Sequence, residues 1–218
     1  MIEIYWVDLD ADAPDVLNGH ERARAARFAR AQDGRRWAAG RAALRMLLGE
    51  RLKMPPQAVE LTHGPHGKPA APGVRFNLSH AGPLALIALA ADREVGVDVE
   101  RLDRRSAAVE RALTAGERAA LGAGDRHVAL LRTWCRKEAL AKAAGTGLGW
   151  TPERFDTTAP GPFRLADLDA PAGFVAALAV GGDAPYSISP RRMTSATAAA
   201  RSDTPRSDDR SAASTVNG

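Results

Sequence analysis

The chain has 218 residues, 45 % of them hydrophobic, which is enough for one large or two small domains with a real core. Lys and Arg number 30 against 26 Asp and Glu, with a sequence pI of about 9.7; this suits a polyanionic ligand or an acidic protein without proving either. The single cysteine, Cys135, excludes an internal disulfide, and the beginning, MIEIYWVDLDADAP, has no basic segment leading into an apolar run, so it is not a signal peptide. The longest apolar run, residues 83–91, is too short to span a bilayer, and a soluble cytoplasmic protein is the expectation.

Residues 2–9, IEIYWVDL, alternate as a strand does. A basic helical stretch follows over 20–52, with Trp37, Leu44, Leu47, Leu48 and Leu52 at helical spacing, and the prolines of KMPP end it. Strands are predicted at 74–78, 84–90 and 95–99, separated by Gly, Pro and Asp as in an antiparallel meander. Thr114 and Glu117 fit a capping box at a helix start. A second long helix is predicted from about Arg126 to Ala144, stopped by the glycines of GTGLG. Strands return at 162–168, 173–180 and 185–189.

Each half therefore reads as a long helix followed by about three strands. The fold class is α+β, with two similar subdomains, residues 1–102 and 103–190, each a long helix on a small antiparallel sheet in a pseudo-two-fold arrangement. From Pro190 onward there is no Leu, Ile, Phe, Trp or Tyr, so 191–218 is expected to be a disordered tail.

Within GVDVE, Val95, Val97 and Val99 point one way on a strand, while Gly96, Asp98 and Glu100 point the other. The two carboxylates then stand about 6–7 Å apart along the backbone. Such a pair is either the polar face of a half-exposed strand or part of a divalent-cation site. On the second long helix, Leu131, Trp134, Cys135, Glu138 and Lys142 fall within an arc of about 100°, mostly apolar and so inward-facing. An inward Glu138 needs a partner. Either Lys142 supplies it at i+4, or the acid is a third carboxylate for a metal, with Lys137 and Lys142 beside it for phosphate oxygens.

Upstream, HGKPAAPGVRFNLSHAG brings Ser79 and His80 to the end of a strand, where a hydroxyl, an imidazole and loop amides can meet an anion. GPHGKP is not a phosphate-binding loop, since its spacing is too short and no Ser or Thr follows Lys68. GTGLG follows a helix instead of a strand and does not match a dinucleotide fingerprint. His63 and His66 have no nearby cysteine and make a weak zinc case, and no Ser-His-Asp order stands out.

Taken together, FNLSHAG at 76–82, GVDVE at 96–100 and WCRKEALAKAAGTGL at 134–148 resemble the 4′-phosphopantetheinyl transferase superfamily. The length and the two halves resemble its monomeric type, which serves polyketide and nonribosomal peptide synthetases. The resemblance implies transfer of 4′-phosphopantetheine from coenzyme A to a serine of an apo acyl or peptidyl carrier protein, with magnesium as cofactor and adenosine 3′,5′-bisphosphate released. It implies Asp98, Glu100 and Glu138 as metal ligands, and Glu138 and Lys142 as catalytic residues. Contacts to coenzyme A would fall to Arg36, Lys68, Ser79, His80, Lys137 and Lys142, with Arg24 a looser match. Trp37 and Cys135 stand where relatives often carry small hydroxyl residues. The implied partners are carrier proteins and coenzyme A, with neither nucleic acid nor membrane. The segment between Leu102 and Leu131, which lies between the metal motifs, is the expected carrier contact.

Two rival readings use the same residues differently. A nucleotide or RNA binder would employ the arginines of 22–51 but would have no use for three acids, which repel phosphate without a metal. Another magnesium-dependent phosphotransferase would need a triphosphate loop, and none is visible in the sequence.

Overall fold

The computed structural model of the chain describes residues 1–64, 67–105, 107–122, 124–146 and 155–193. The N-terminal alternation forms β1 (Ile2–Asp8), with five of its seven residues buried. A strand buried on both faces belongs inside the molecule, and β1 lies inside a four-stranded sheet.

The basic stretch divides into two helices, α1 (Gly19–Ala26) and α2 (Ala31–Leu52), where one was predicted. Asn18 opens α1 with a capping box closed by Glu21. The break folds α1 back on α2, so closely that a Cβ on Gly34 would lie 2.4 Å from the Ala25 carbonyl oxygen. α2 ends at Lys53, in the left-handed region at φ 55°, just before Pro55 and Pro56. A single turn (Pro56–Ala58) and a small hairpin of β2 (Thr62–His63) and β3 (Pro69–Ala70) lead on.

β4 (Arg75–Ala81) and β5 (Leu84–Ala90) form an antiparallel pair as expected. The predicted meander stops there. β6 (Val95–Arg101) pairs instead with β8 (Phe174–Gly181), which pairs in turn with β7 (Phe163–Leu168). β9 (Ile188–Met193) crosses back to lie parallel to β1. The two sheets therefore have the orders β4-β5-β1-β9 and β6-β8-β7, and each contains a strand from the other half of the chain. A boundary near residue 102 separates the long helices but not the sheets. Residues 191–193, assigned to the tail from composition, are strand, and Met193 is buried in the first core. Residues 194–218 lie outside the described residues.

Between β6 and β7 the chain forms α3 (Ala107–Arg111), α4 (Ala115–Ala120) and α5 (Arg126–Ala144). The Thr114–Glu117 capping box opens α4, and α5 spans Arg126–Ala144 and stops at Gly145, at φ 70°, as the sequence predicted; Asp125 caps its start. The layers stack as α2, first sheet, second sheet, α5. Leu44, Leu47 and Leu48 of α2 meet Tyr5, Phe76 and Ile87. The other face of that sheet, with Ile2, Ile4, Trp6 and Leu86, packs on Val95, Val97, Val99, Leu178 and Val180 of the second. Leu131, Cys135 and Ala139 of α5 cover Val175, Ala177 and Ala179 behind it. Among the described residues no helix is long and apolar enough to cross a membrane.

Candidate active site

β6 is an edge strand, and its edge lies against β4 of the other sheet. No ladder joins the two strands. Side chains do so instead: Asn77 of β4 accepts a hydrogen bond from the buried Val97 amide at 3.0 Å. An edge amide left unpaired there would cost about 1–3 kcal/mol. Two residues on, Ser79 Oγ donates to Asp98 Oδ1 at 2.8 Å. The site thus grows out of the seam between the halves.

The opposite face of β6 lies against α5. A Cβ on Gly96 would come within 2.0 Å of the Ala139 carbonyl oxygen, so glycine sets how closely the helix approaches. Asp98, one step along the same face, is only 4 % exposed. Lys142, in the last turn of α5, donates to Asp98 Oδ1 at 2.6 Å and to Ser79 Oγ at 3.0 Å. Asp98 Oδ2 is buried and, among the described residues, has no hydrogen-bond partner. A charged oxygen in that position lacks a cation or a donor.

These groups line a cavity of about 350 Å³ together with Leu78, His80, Val99, Glu100, Arg104, Trp134 and Glu138. Glu138 is half-buried, and burial lifts its carboxyl above the usual range; Asp98 adds to the shift while Lys142 and Arg104 oppose it. The salt bridge to Lys142 that spacing allowed does not form, because Lys142 turns to Asp98. Partial desolvation, and then the Lys142 charge, push the His80 imidazole below its ordinary pKa. Burial and the charge of Asp98 push the Cys135 thiol up, so it is an inert packing group.

Asp98, Ser79, His80, Glu138 and Lys142 are brought together as the sequence predicted, and Glu100 joins them at the cavity wall. The Glu100 carboxylate, however, is in contact with the Arg104 guanidinium and accepts from Trp134 Nε1 at 3.2 Å. The sequence gives no sign of these partners, since Glu100 is on a strand and Arg104 in the bend beyond it, where no periodicity links them.

Lys137 is a clear departure. It is fully buried, with Nζ bonded to both Glu117 oxygens at 2.8 and 2.6 Å and to the Phe155 carbonyl. A lysine so enclosed has no donor left for a phosphate. The sequence carried a signal for this: Leu130, Thr133, Lys137, Leu140 and Ala141 make a second buried stripe on α5. Arg36 lies outside the cavity, bound through Nε and Nη2 to Asp10 at 2.7 Å each. Lys68 also lies outside it, donating to Glu94 at 3.1 Å and to the Val95 carbonyl at 3.4 Å. Arg24 stacks over Trp37 at 5.1 Å, with Arg41 over the same ring at 5.2 Å.

Two family models match the chain. Residues 94–189 match the 4′-phosphopantetheinyl transferase superfamily, and residues 11–93 match the N-terminal region of 4′-phosphopantetheinyl transferases. The 4′-phosphopantetheinyl transferase HetI of a Nostoc species is 36 % identical over 63 % of this chain and 63 % of its own length. The 4′-phosphopantetheinyl transferase AcpT of Salmonella typhimurium is 32 % identical over 73 % of this chain and 82 % of its own. A Synechocystis relative is 33 % identical over 61 % of this chain; the chain spans 58 and 63 % of the Synechocystis and Nostoc proteins.

Proposed function

Since the chain belongs to the 4′-phosphopantetheinyl transferase superfamily, we propose that it moves 4′-phosphopantetheine from coenzyme A to a serine of an apo acyl or peptidyl carrier protein. One observation carries this reading to the site. Lys142 and Ser79 converge on one oxygen of Asp98 and leave the other buried and unpartnered, in a cavity shared with Glu138.

That unpartnered oxygen fits a divalent cation, as does the hard, all-oxygen donor set around it. Asp98 and Glu138 would hold magnesium, and the ion would neutralise charge on the diphosphate of coenzyme A. The chain's own groups do the rest. Lys142 Nζ, fixed by Asp98, adds positive charge where the leaving adenosine 3′,5′-bisphosphate gathers its own. His80 offers a hydrogen bond at the same wall, while Ser79 Oγ, donating to Asp98 and accepting from Lys142, holds those two groups in place.

The carrier serine is a weak nucleophile and needs a base. Glu138, its basicity raised by burial, accepts the serine proton as the serine oxygen bonds the pantetheine-bearing phosphorus. The bond from that phosphorus to the bridging oxygen breaks, and the bridging oxygen leaves on adenosine 3′,5′-bisphosphate. Lys137 takes no part; its role is to hold α5 to α4 and the 155–157 segment through Glu117.

The test is to incubate the chain with magnesium, coenzyme A and an apo carrier domain and to weigh the carrier. A gain of one phosphopantetheine group, lost in Asp98→Ala, is expected. No adduct on any of several acyl and peptidyl carriers would overturn the proposal.

A further inference from the structure

We infer that Asn77 is a positioning residue. It stands in for a missing strand at the outer edge of β6 and so fixes the backbone from which Asp98 reaches the cavity. The inference rests on the transferase reading above.

The ladder with β8 shows why β6 needs such a group. The Gly181 amide donates to the Glu94 carbonyl at 2.8 Å, and the Leu102 amide donates to the Gly173 carbonyl at 2.9 Å. These are bonded pairs at the two ends of one antiparallel register, which also sets Gly96 opposite Ala179, Asp98 opposite Ala177 and Glu100 opposite Val175. Bonded and non-bonded pairs alternate, so the main-chain groups of Gly96, Asp98 and Glu100 turn to β8, and those of Val95, Val97 and Val99 turn away from it. The neighbour on that side is β4, and among the described residues no ladder joins it to β6. Val97 is fully buried, so water does not serve its outward amide. Asn77 Oδ1, itself buried, accepts that amide at 3.0 Å. Two residues back, Lys68 Nζ meets the outward Val95 carbonyl at 3.4 Å.

Asn77 and Ser79 share a face of β4, and their partners, Val97 and Asp98, are consecutive on β6. The two contacts differ in kind. Ser79 meets a side chain, which can turn to follow it. Asn77 meets the main chain, at a residue whose Cα is about 3.8 Å from that of Asp98, so a shift of β6 at Val97 carries Asp98 with it. Asn77 does not line the cavity, and its effect on the chemistry therefore passes through Asp98. The β8 ladder and the close approach of α5 at Gly96 hold β6 in the fold without Asn77. Its loss should loosen the seam and leave the chain folded.

The experiment follows carrier modification by the full chain at saturating coenzyme A and magnesium, separating kcat from the KM for an apo carrier domain. Asn77→Leu keeps the size of the side chain and removes the acceptor. Its kcat should fall about 10–100-fold, the loss expected when a group at the site is displaced by about 1 Å. The KM for the carrier should stay within about threefold of wild type. Asn77→Asp keeps an oxygen at the same reach and should be at least about tenfold faster than Asn77→Leu. Leu47→Ala, a truncation in the first core away from the seam, should lose stability yet keep its kcat when assayed well below its melting temperature.

Should Asn77→Leu not fold, Asn77→Ala, which removes the acceptor without apolar bulk, takes its place in the same comparison. With an active wild type, an unchanged kcat on loss of the acceptor overturns the inference. So do equal losses in the acceptor-free and Asn77→Asp chains, or an equal loss in Leu47→Ala. Failure of the parent reading looks different: the wild type itself would add no mass to any carrier, and the inference would fall with it.

Discussion

Helix α5 carries two lysines five residues apart, and both are paired with carboxylates. Lys137 and Glu117 have no exposed side-chain surface. Every oxygen there is used: both Glu117 oxygens accept from Lys137, one also from the Thr114 amide and the other from the Thr157 amide. Lys142 and Asp98 are 28 % and 6 % exposed, and one Asp98 oxygen is left bare beside a cavity. The same two functional groups thus build a fastening on one face of the helix and, five residues on, a reactive wall on another. The difference lies in how completely the polar atoms are satisfied, since a closed network offers nothing to a ligand.

Breaking one partner of each pair should separate them most sharply. Lys137→Ala leaves Glu117 enclosed without its ion-pair partner, a situation that typically costs about 3–5 kcal/mol, so this variant should be strongly destabilised or unfolded in a urea titration. Lys142→Ala leaves Asp98 next to a water-accessible cavity and should lose no more than about 1–2 kcal/mol. Its carrier-modification rate should instead fall by about 100-fold or more, as for loss of one charge-stabilising group in a transition state. Equal destabilisation of the two variants would abolish the contrast.

This distinction explains what the sequence revealed and what it withheld. Glycine placed the C-terminal end of α5 correctly, because Gly145 acts on its immediate neighbours; the Asp125 cap at the other end was not singled out. The inward stripe with Glu138 and Lys142 was legible because helical period fixes faces. Lys137 was misread because the family's motif drew it toward phosphate, while Leu130, Thr133 and Ala141 already marked its face as buried. Strand partners beyond the β4–β5 pair were not legible. Period-two alternation in 95–99 tells which way Val97 points, but not that β6 joins β8 and leaves β5. The Asn77–Val97 bond follows from that pairing, so no reading of FNLSHAG alone could supply it.

A smaller effect is expected at Asp98 itself. Asp98→Asn removes the bare charge and lets an amide donate within the seam, at the loss of the ion pair with Lys142. These terms oppose each other, and stability without added divalent ions should stay within about 1 kcal/mol of wild type. Carrier modification should nevertheless be lost. If Asp98→Asn unfolded the chain as Lys137→Ala does, Asp98 would belong with the fastening.

Glu138 gives the most delicate test, because its sign is opposite to that of a fastening acid. Burial raises its carboxyl pKa in the fold above the ordinary value of 4.5. Below that ordinary value both folded and unfolded chains hold the proton, and Glu138 imposes no penalty. As pH rises, the unfolded chain ionises first, so the group subtracts from stability; above the raised folded value the loss is complete and constant. Glu138→Gln carries no such loss. Measured in EDTA at neutral pH, it should therefore melt higher than wild type, by a margin worth about 1 kcal/mol or less. The advantage should shrink as pH falls toward the ordinary carboxylate range. Magnesium with coenzyme A should raise the wild-type melting temperature more than that of the variant, because only the carboxylate attracts the cation. A Glu138→Gln chain that melts below wild type at neutral pH would mean that the acid is held charged by its surroundings and could not be the base.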